Sequence, residues 1–382
     1  MTDTPIYLDY NATTPIDPRI VEAMLPWLRG AFGNPSSDHV YGRNAKTAVQ
    51  HAREQVAALI GAQPGEIMFT SCATEANNLA ILGVARALQG GSRNRLLYSA
   101  VEHPAVAQPM RHLSEAGWKV ETMAVDASGR VDAAQITLDA DVALVSVMLS
   151  NNEVGTLQPV TEIATRVHGA GALMHVDAAQ AAGKIAIDVE ALGADLLTLA
   201  GHKFYAPKGV GALYVRTGTP LQAIQFGAGH EGGLRPGTEN VPHIVALGEA
   251  ARLARIELQA EAARIQMLRD DLHRRLAVAI PGLLLNGHVS ERLPNTLNVS
   301  FPGIAGWQLL AAVPDLAAST GSACHAGRHA ASGVLGAMGL SAEQAAGAVR
   351  LSMGRFTTES EIEQAATMLI AAWRQFSVQT GP

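Results

Sequence analysis

The sequence predicts an α/β fold built on a largely parallel sheet with helices on both faces. Between about residues 66 and 216, short β-rich apolar runs alternate with helical patterns, the order that builds parallel sheets through crossover helices. Several of these runs stop on polar residues of chemically useful types. In open α/β sheets ligands bind where the strands end.

The first run, EIMFT, is followed by the helical pattern ATEANNLAILGVARAL, and the second, RLLYSAVEH, by PAVAQPMRHLSEAG. VALVSVMLS, ALMHVDAAQ, DLLTLAGHK and GVGALYVR supply further strands. Glu102-His103, Asn151-Asn152-Glu153, Asp177 with Gln180, and His202-Lys203 each follow an apolar run, so four carboxyl ends are expected to face one crevice. From about 243 to 280 apolar residues recur at helical spacing with charges between them, a long amphipathic helix suited to bridge to a second domain. PNTLNVSF and ESEIEQAATMLIAAWRQF then give a strand and a helix of a smaller α/β unit. The expected division is a large ligand-binding domain, 15–255, and a small domain made of 1–14 and 256–382.

Composition narrows the class of function. With 382 residues, 48% hydrophobic and 16% charged, the chain is long enough for two cores and is far from a disordered composition. Its net charge of -6, without a basic block, gives no footprint for nucleic acid. Two cysteines cannot build a disulfide framework, and MTDTPIYLDYNATTP lacks the basic and apolar regions of a secretion signal. No apolar stretch approaches the roughly 18 residues of a membrane span. The expectation is a cytoplasmic protein with reduced thiols that acts on small molecules.

Lys203 ends a buried-looking strand in a Gly-rich setting, where desolvation would lower its pKa and leave a neutral amine able to form a Schiff base. An ordinary strand-end lysine is the plain alternative. Asp177, at the end of ALMHVDAAQ, suits a partner for a protonated ring nitrogen, and Gln180, three residues on, faces the same way in a short turn. A simple helix cap would use the same aspartate. Ser71, Ala73 and Thr74 open a helical pattern whose free N–H groups and dipole suit a phosphate, although a capping box would look alike. His103 is placed to stack on a ring or move protons, and Arg350 to fork a carboxylate. Cys324 lies in ASTGSACHAGRHAASG, a polar, locally cationic stretch that favours a thiolate, whereas Cys72 reads as a packed, inert thiol.

Ten ordered motifs then coincide: YLDYNATTP (7–15), FGNPSS (32–37), FTSCATE (69–75), EHPAV (102–106), SNNEVG (150–155), HVDAAQ (175–180), GHK (201–203), RPGTEN (235–240), GSAC (321–324) and VRLSMGRFTT (349–358). Together they resemble the NifS/IscS-type cysteine desulfurases over nearly the whole chain. The resemblance implies the fold type I of pyridoxal-phosphate-dependent transferases, a homodimer, and L-cysteine as substrate. It also implies residue roles. Lys203 binds pyridoxal 5'-phosphate covalently; Asp177 and Gln180 contact its ring nitrogen and phenolic oxygen; Asn152 lies by the ring, near the substrate, and His103 stacks on it. Ala73, Thr74 and His202 hold the phosphate, with Thr238 reaching across from the other subunit, and Arg350 takes the substrate carboxylate. Catalysis then falls to Lys203, His103 and the sulfur-accepting Cys324, which passes its persulfide sulfur to an acceptor protein of an iron–sulfur, tRNA or DNA modification pathway.

Three departures accompany the resemblance. Ala200 stands where many relatives have a serine before GHK, Cys72 where many have glycine, and HAGRHAASG follows Cys324 in place of a Ser- and Pro-containing pattern. Rival readings are a selenocysteine lyase, suggested by ACH, HKFYAPKGVGALYVR and RPGTEN, an aminotransferase of the same fold, and a non-turnover sulfur-relay scaffold.

Overall fold

The computed structural model describes residues 4–320 and 332–379. Among these the central feature is a seven-stranded sheet of order β2-β8-β7-β6-β5-β3-β4. Its strands are β2 (Ile67–Thr70), β3 (Arg95–Ser99), β4 (Lys119–Met123), β5 (Val142–Met148), β6 (Leu173–Asp177), β7 (Leu196–Ala200) and β8 (Gly211–Val215). Every residue of β5 and β7 is buried, which explains why VALVSVM and LLTLA read as unbroken apolar runs rather than alternating ones. β4, β3, β5, β6 and β7 pair in parallel, while β8 runs antiparallel to both β7 and β2. The β7–β8 connection, 201–210, is shorter than the dozen or so residues a parallel crossover needs, so the chain returns antiparallel.

Helices α1 (Pro18–Arg29), α2 (Val40–Ile60), α3 (Ala73–Ala87), α4 (Pro104–Glu115), α5 (Val160–Gly169) and the short α6 (Val189–Leu192) accompany this sheet. α3 and α4 pack one core with Leu96, Leu144 and Leu213; α2 and α5 pack another with Val145, Met174 and Leu197. The long helix α7 (Val241–Ala279) contributes Ile244, Leu247 and Ala251 to that second core. Further on, its Ile265, Leu268, Leu272 and Leu276 enter a separate core, so one helix spans two packing environments.

That separate core belongs to a three-stranded sheet of β9 (Leu284–Asn286), β10 (Thr296–Ser300) and β12 (Ala348–Ser352), in the order β12-β10-β9. α8 (Gly306–Ala311) and α11 (Glu359–Gln379) cover it, and α9 (Gly333–Ala337) and α10 (Ala342–Ala346) precede β12. The chain's beginning joins the same region, where β1 (Ile6–Tyr7) pairs in parallel with β11 (Leu316–Ala317) and Leu8 is fully buried. The segment after β1 therefore enters the molecule between the two sheets. No helix among the described residues is long and apolar enough to cross a membrane.

Candidate active site

Because β8 is antiparallel to both its neighbours, β2 runs in the same direction as β3, β5, β6 and β7. Their carboxyl ends lie along one edge of the sheet, and each is followed by a residue singled out above: Ala73 and Thr74, His103, Asn152, Asp177 and Gln180, and His202 and Lys203.

Lys203 ends a single 3-10 turn, Gly201–Lys203, that follows β7. Its Nζ donates to the carbonyls of Asn11 at 2.7 Å and Ala12 at 2.8 Å. Burial, reinforced by the Arg350 guanidinium and opposed by the Asp9 and Asp177 carboxylates, draws its pKa down to about 8. His202 presents Nδ1 to the Thr13 hydroxyl at 3.1 Å, and burial beside Lys203 lowers it to about 4. At neutral pH that imidazole carries no charge.

Asp177 closes β6 with its carboxylate buried and oriented at both oxygens. Asn77 Nδ2 donates to Oδ2 at 2.7 Å, and the Ala179 N–H donates to Oδ1 at 2.9 Å. Gln180 follows in a tight turn and donates from Nε2 to the Asn11 carbonyl at 2.9 Å, the carbonyl that Lys203 also uses. Asn77 is reached because α3 runs from the end of β2 across the sheet, and a neighbouring turn of that helix places it at Asp177. The N-cap of α3 is Cys72, with no side-chain hydrogen bond capping the helix. Instead of a reciprocal capping box, Glu75 accepts from the Ser71 N–H at 2.6 Å and pairs with Arg235 at 2.7 Å. The first N–H groups of α3, those of Ala73 and Thr74, stay uncapped by a side chain among the described residues. Cys72, expected to be packed away, is half-exposed there, its Sγ accepting from the Ser71 hydroxyl at 3.7 Å. The N-cap position, outside the apolar face of α3, is the reason.

His103 caps α4 by accepting the Ala105 N–H at Nδ1, 3.1 Å. The residue is exposed to solvent. Burial of the ring and the nearby Lys203 lower its pKa, against the pull of Asp177. Asn152, after β5, offers its carbonyl to Asn11 Nδ2 at 3.2 Å and to Arg350 Nη1 at 3.0 Å. Arg350, buried in the middle of β12, also pairs through Nη2 with Asp9 at 2.7 Å, while its buried Nε has no partner among the described residues. It is thus a fixed, interior guanidinium and not a surface ion pair.

One expected residue is not in this cluster, and another lies outside the described residues. Thr238 is exposed in the segment before α7, with no polar contact to the Lys203 group among the described residues. Cys324 lies outside the described residues. Ala200 is buried at the end of β7 and supplies no hydroxyl.

Sequence reasoning missed the residues that join the cluster. Asn11 accepts from Lys203 and Gln180 at its carbonyl, from Asn295 and Lys184 at Oδ1, and donates from Nδ2 to the Thr296 hydroxyl at 2.8 Å. Glu102, read only as the neighbour of His103, takes the Ser99 hydroxyl at 2.6 Å and the Met148 N–H at 2.7 Å on Oε1. Burial pushes its pKa up to about 8 despite those two donors, and its Oε2 is buried without a partner among the described residues. The YLDYNATTP motif was the one available signal for Asn11 and Asp9.

The chain is similar to known proteins over most of its length. The aminotransferase class-V family matches residues 6–365. A cysteine desulfurase IscS of Anaeromyxobacter dehalogenans is 46% identical over 366 residues, covering 94% of this chain and 90% of the relative. Among solved structures, a NifS-like protein superposes with a TM-score of 0.91 at 37% identity, over 98% of this chain and 100% of its own. SspA in complex with cysteine superposes at 0.82 with 34% identity, over 92% of this chain and 99% of its own. The chain belongs to the class-V aminotransferase family and, within it, to the cysteine desulfurases of the IscS/NifS type.

Proposed function

We propose that this chain is a pyridoxal-phosphate-dependent cysteine desulfurase that converts L-cysteine to L-alanine and places the sulfur on Cys324. The observation that carries the reading is Lys203, an amine drawn down to about 8 and held by two carbonyls at the same strand-end edge as a buried, doubly bonded carboxylate, Asp177. The likeness to IscS and to a relative solved with cysteine supports the substrate.

The residues present fit pyridoxal phosphate. A helix start without a side-chain cap suits its phosphate, so Ala73 and Thr74, with the uncharged His202, would hold that end. Asp177 would hold a proton at the ring nitrogen, Gln180 would face the phenolic oxygen, and His103 and Asn152 would flank the ring. Lys203 would bind the aldehyde carbon. When bound, the cofactor supplies an electron-poor ring that takes up the electron pair released at the substrate Cα.

Arg350 binds the substrate carboxylate, its plane fixed by Asp9 and the Asn152 carbonyl. Lys203, freed as a neutral amine, takes the Cα proton, with His103 as a second proton carrier. The Cys324 thiolate attacks the substrate sulfur: an S–S bond forms, the C–S bond breaks, and its electron pair stays on the carbon skeleton, which is protonated to alanine. Cys324 then holds a persulfide for an acceptor protein. We further read the molecule as a cytoplasmic homodimer in which Thr238 serves the partner's phosphate. It is divided at 15–255 and 1–14 with 256–382, a reading supported by the change of core partners along α7.

The test is alanine and sulfide release from L-cysteine under reductant, comparing wild type with Cys324→Ala and with L-selenocysteine as second substrate. Equimolar alanine and sulfide from wild type, lost in the variant, is the expected result. Inert cysteine, with selenocysteine consumed even by the variant, would make the chain a selenocysteine lyase.

A further inference from the structure

After Asp177 the chain makes two tight turns, Ala178 to Ala182 and Ala181 to Ile185, closed by N–H donors from Ala182 to the Ala178 carbonyl at 3.1 Å and from Ile185 to the Ala181 carbonyl at 3.1 Å. Within the second, Gly183 takes φ +73°, and a Cβ there would meet the Phe204 Cβ at 2.7 Å. Only glycine fits both the left-handed backbone and the contact. The turn brings Lys184 back to the Lys203 cluster. Lys184 Nζ donates to Gln180 Oε1 at 2.7 Å and to Asn11 Oδ1 at 3.2 Å.

These partners leave the Gln180 amide one orientation. The Asn11 carbonyl can only accept, so Nε2 must face the Lys203 side, which turns Oε1 toward Lys184, whose N–H donates to it. Without Lys184, Oε1 loses this donor and the amide plane is held only through Nε2. Nothing in the proposed chemistry otherwise uses a second interior lysine. Burial, with the nearby Lys203 and Arg350, lowers the Lys184 pKa well below its ordinary value, an electrostatic cost that a purely spacing role would not require.

We propose that Lys184 is a positioning residue that fixes the Gln180 amide with its N–H donors toward the bound cofactor. The proposal rests on the reading that Gln180 contacts pyridoxal phosphate. The experiment titrates the apoprotein with pyridoxal phosphate, following intrinsic fluorescence, and records the pH midpoint of the visible absorbance of the loaded protein. Wild type, Lys184→Met, Gln180→Ala and the double variant form one cycle. Lys184→Gln with Gln180→Ala forms a second cycle that carries the same test should the methionine variant not fold. Loss of the orienting bond weakens cofactor affinity about tenfold. Because Lys184 acts through Gln180, the double variant binds no more weakly than Gln180→Ala alone, and its absorbance midpoint moves no further. Additive losses, or a Lys184→Met protein with wild-type affinity and midpoint, overturn the proposal. A wild type that takes up no pyridoxal phosphate removes the cofactor reading and this proposal with it.

Discussion

At the scale of single residues, the site works by holding side chains in protonation states that water would not favour. Lys203 needs its neutral amine, and burial brings that form close to neutral pH, so replacement by arginine, which keeps its proton, lowers alanine formation by at least about a hundredfold in a steady-state assay. Glu102 is perturbed in the opposite sense. With its folded pKa raised to about 8, the folded chain binds a proton that the unfolded chain has lost. Its contribution to stability is therefore complete below the ordinary carboxylate range and disappears as pH rises through about 8. Glu102→Gln imitates the protonated form. Its melting temperature relative to wild type rises between pH 5 and pH 9, and a difference independent of pH would contradict the assignment. Lys203, Asp177 and Gln180 were legible in the sequence because each lies at or just beyond the end of an apolar run. Asn11, Asn77 and Lys184 were not, since their partners come from remote or folded-back chain and periodicity carries no trace of such contacts.

Among elements, the start of α3 decides whether a phosphate can be bound. It lies against β8, where Gly211 leaves no room for a side chain: a Cβ would meet the Leu199 carbonyl oxygen at 2.7 Å and the Cys72 carbonyl carbon at 2.9 Å. Gly211→Ala must push the helix start away from the strand. The expected outcome is a loss of about 1–3 kcal/mol in denaturant unfolding together with weaker uptake of pyridoxal phosphate by the apoprotein. Uptake unchanged in a destabilised variant would separate the α3 start from the phosphate. The sequence pattern located β2, β3, β5, β6, β7 and β8, α3 and α4, and α7 nearly to its ends. It did not reveal that β8 runs against its neighbours or that β1 pairs with β11, because strand direction depends on connection length and long-range pairing rather than on the residues of the strand.

For the whole molecule, α7 ties the two packing environments together, and the segment around Asn11 lies between them. Leu272 and Leu276 are fully buried in the core of the smaller sheet. Leu272→Ala costs about 2–5 kcal/mol in urea unfolding, by lost burial and the cavity left behind. Should the division proposed at residue 255 be correct, that loss falls on the smaller unit first, and hydrogen exchange rises in β10 and β12 before β5 and β6. The claim on which all of this depends is that the strand-end cluster holds pyridoxal phosphate on Lys203. Borohydride reduction of the cofactor-loaded protein, followed by peptide mass spectrometry, tests it most directly. The account predicts a pyridoxyl group on the peptide containing Lys203 and none on Lys184; modification at Lys184, or at no lysine of the cluster, would contradict it.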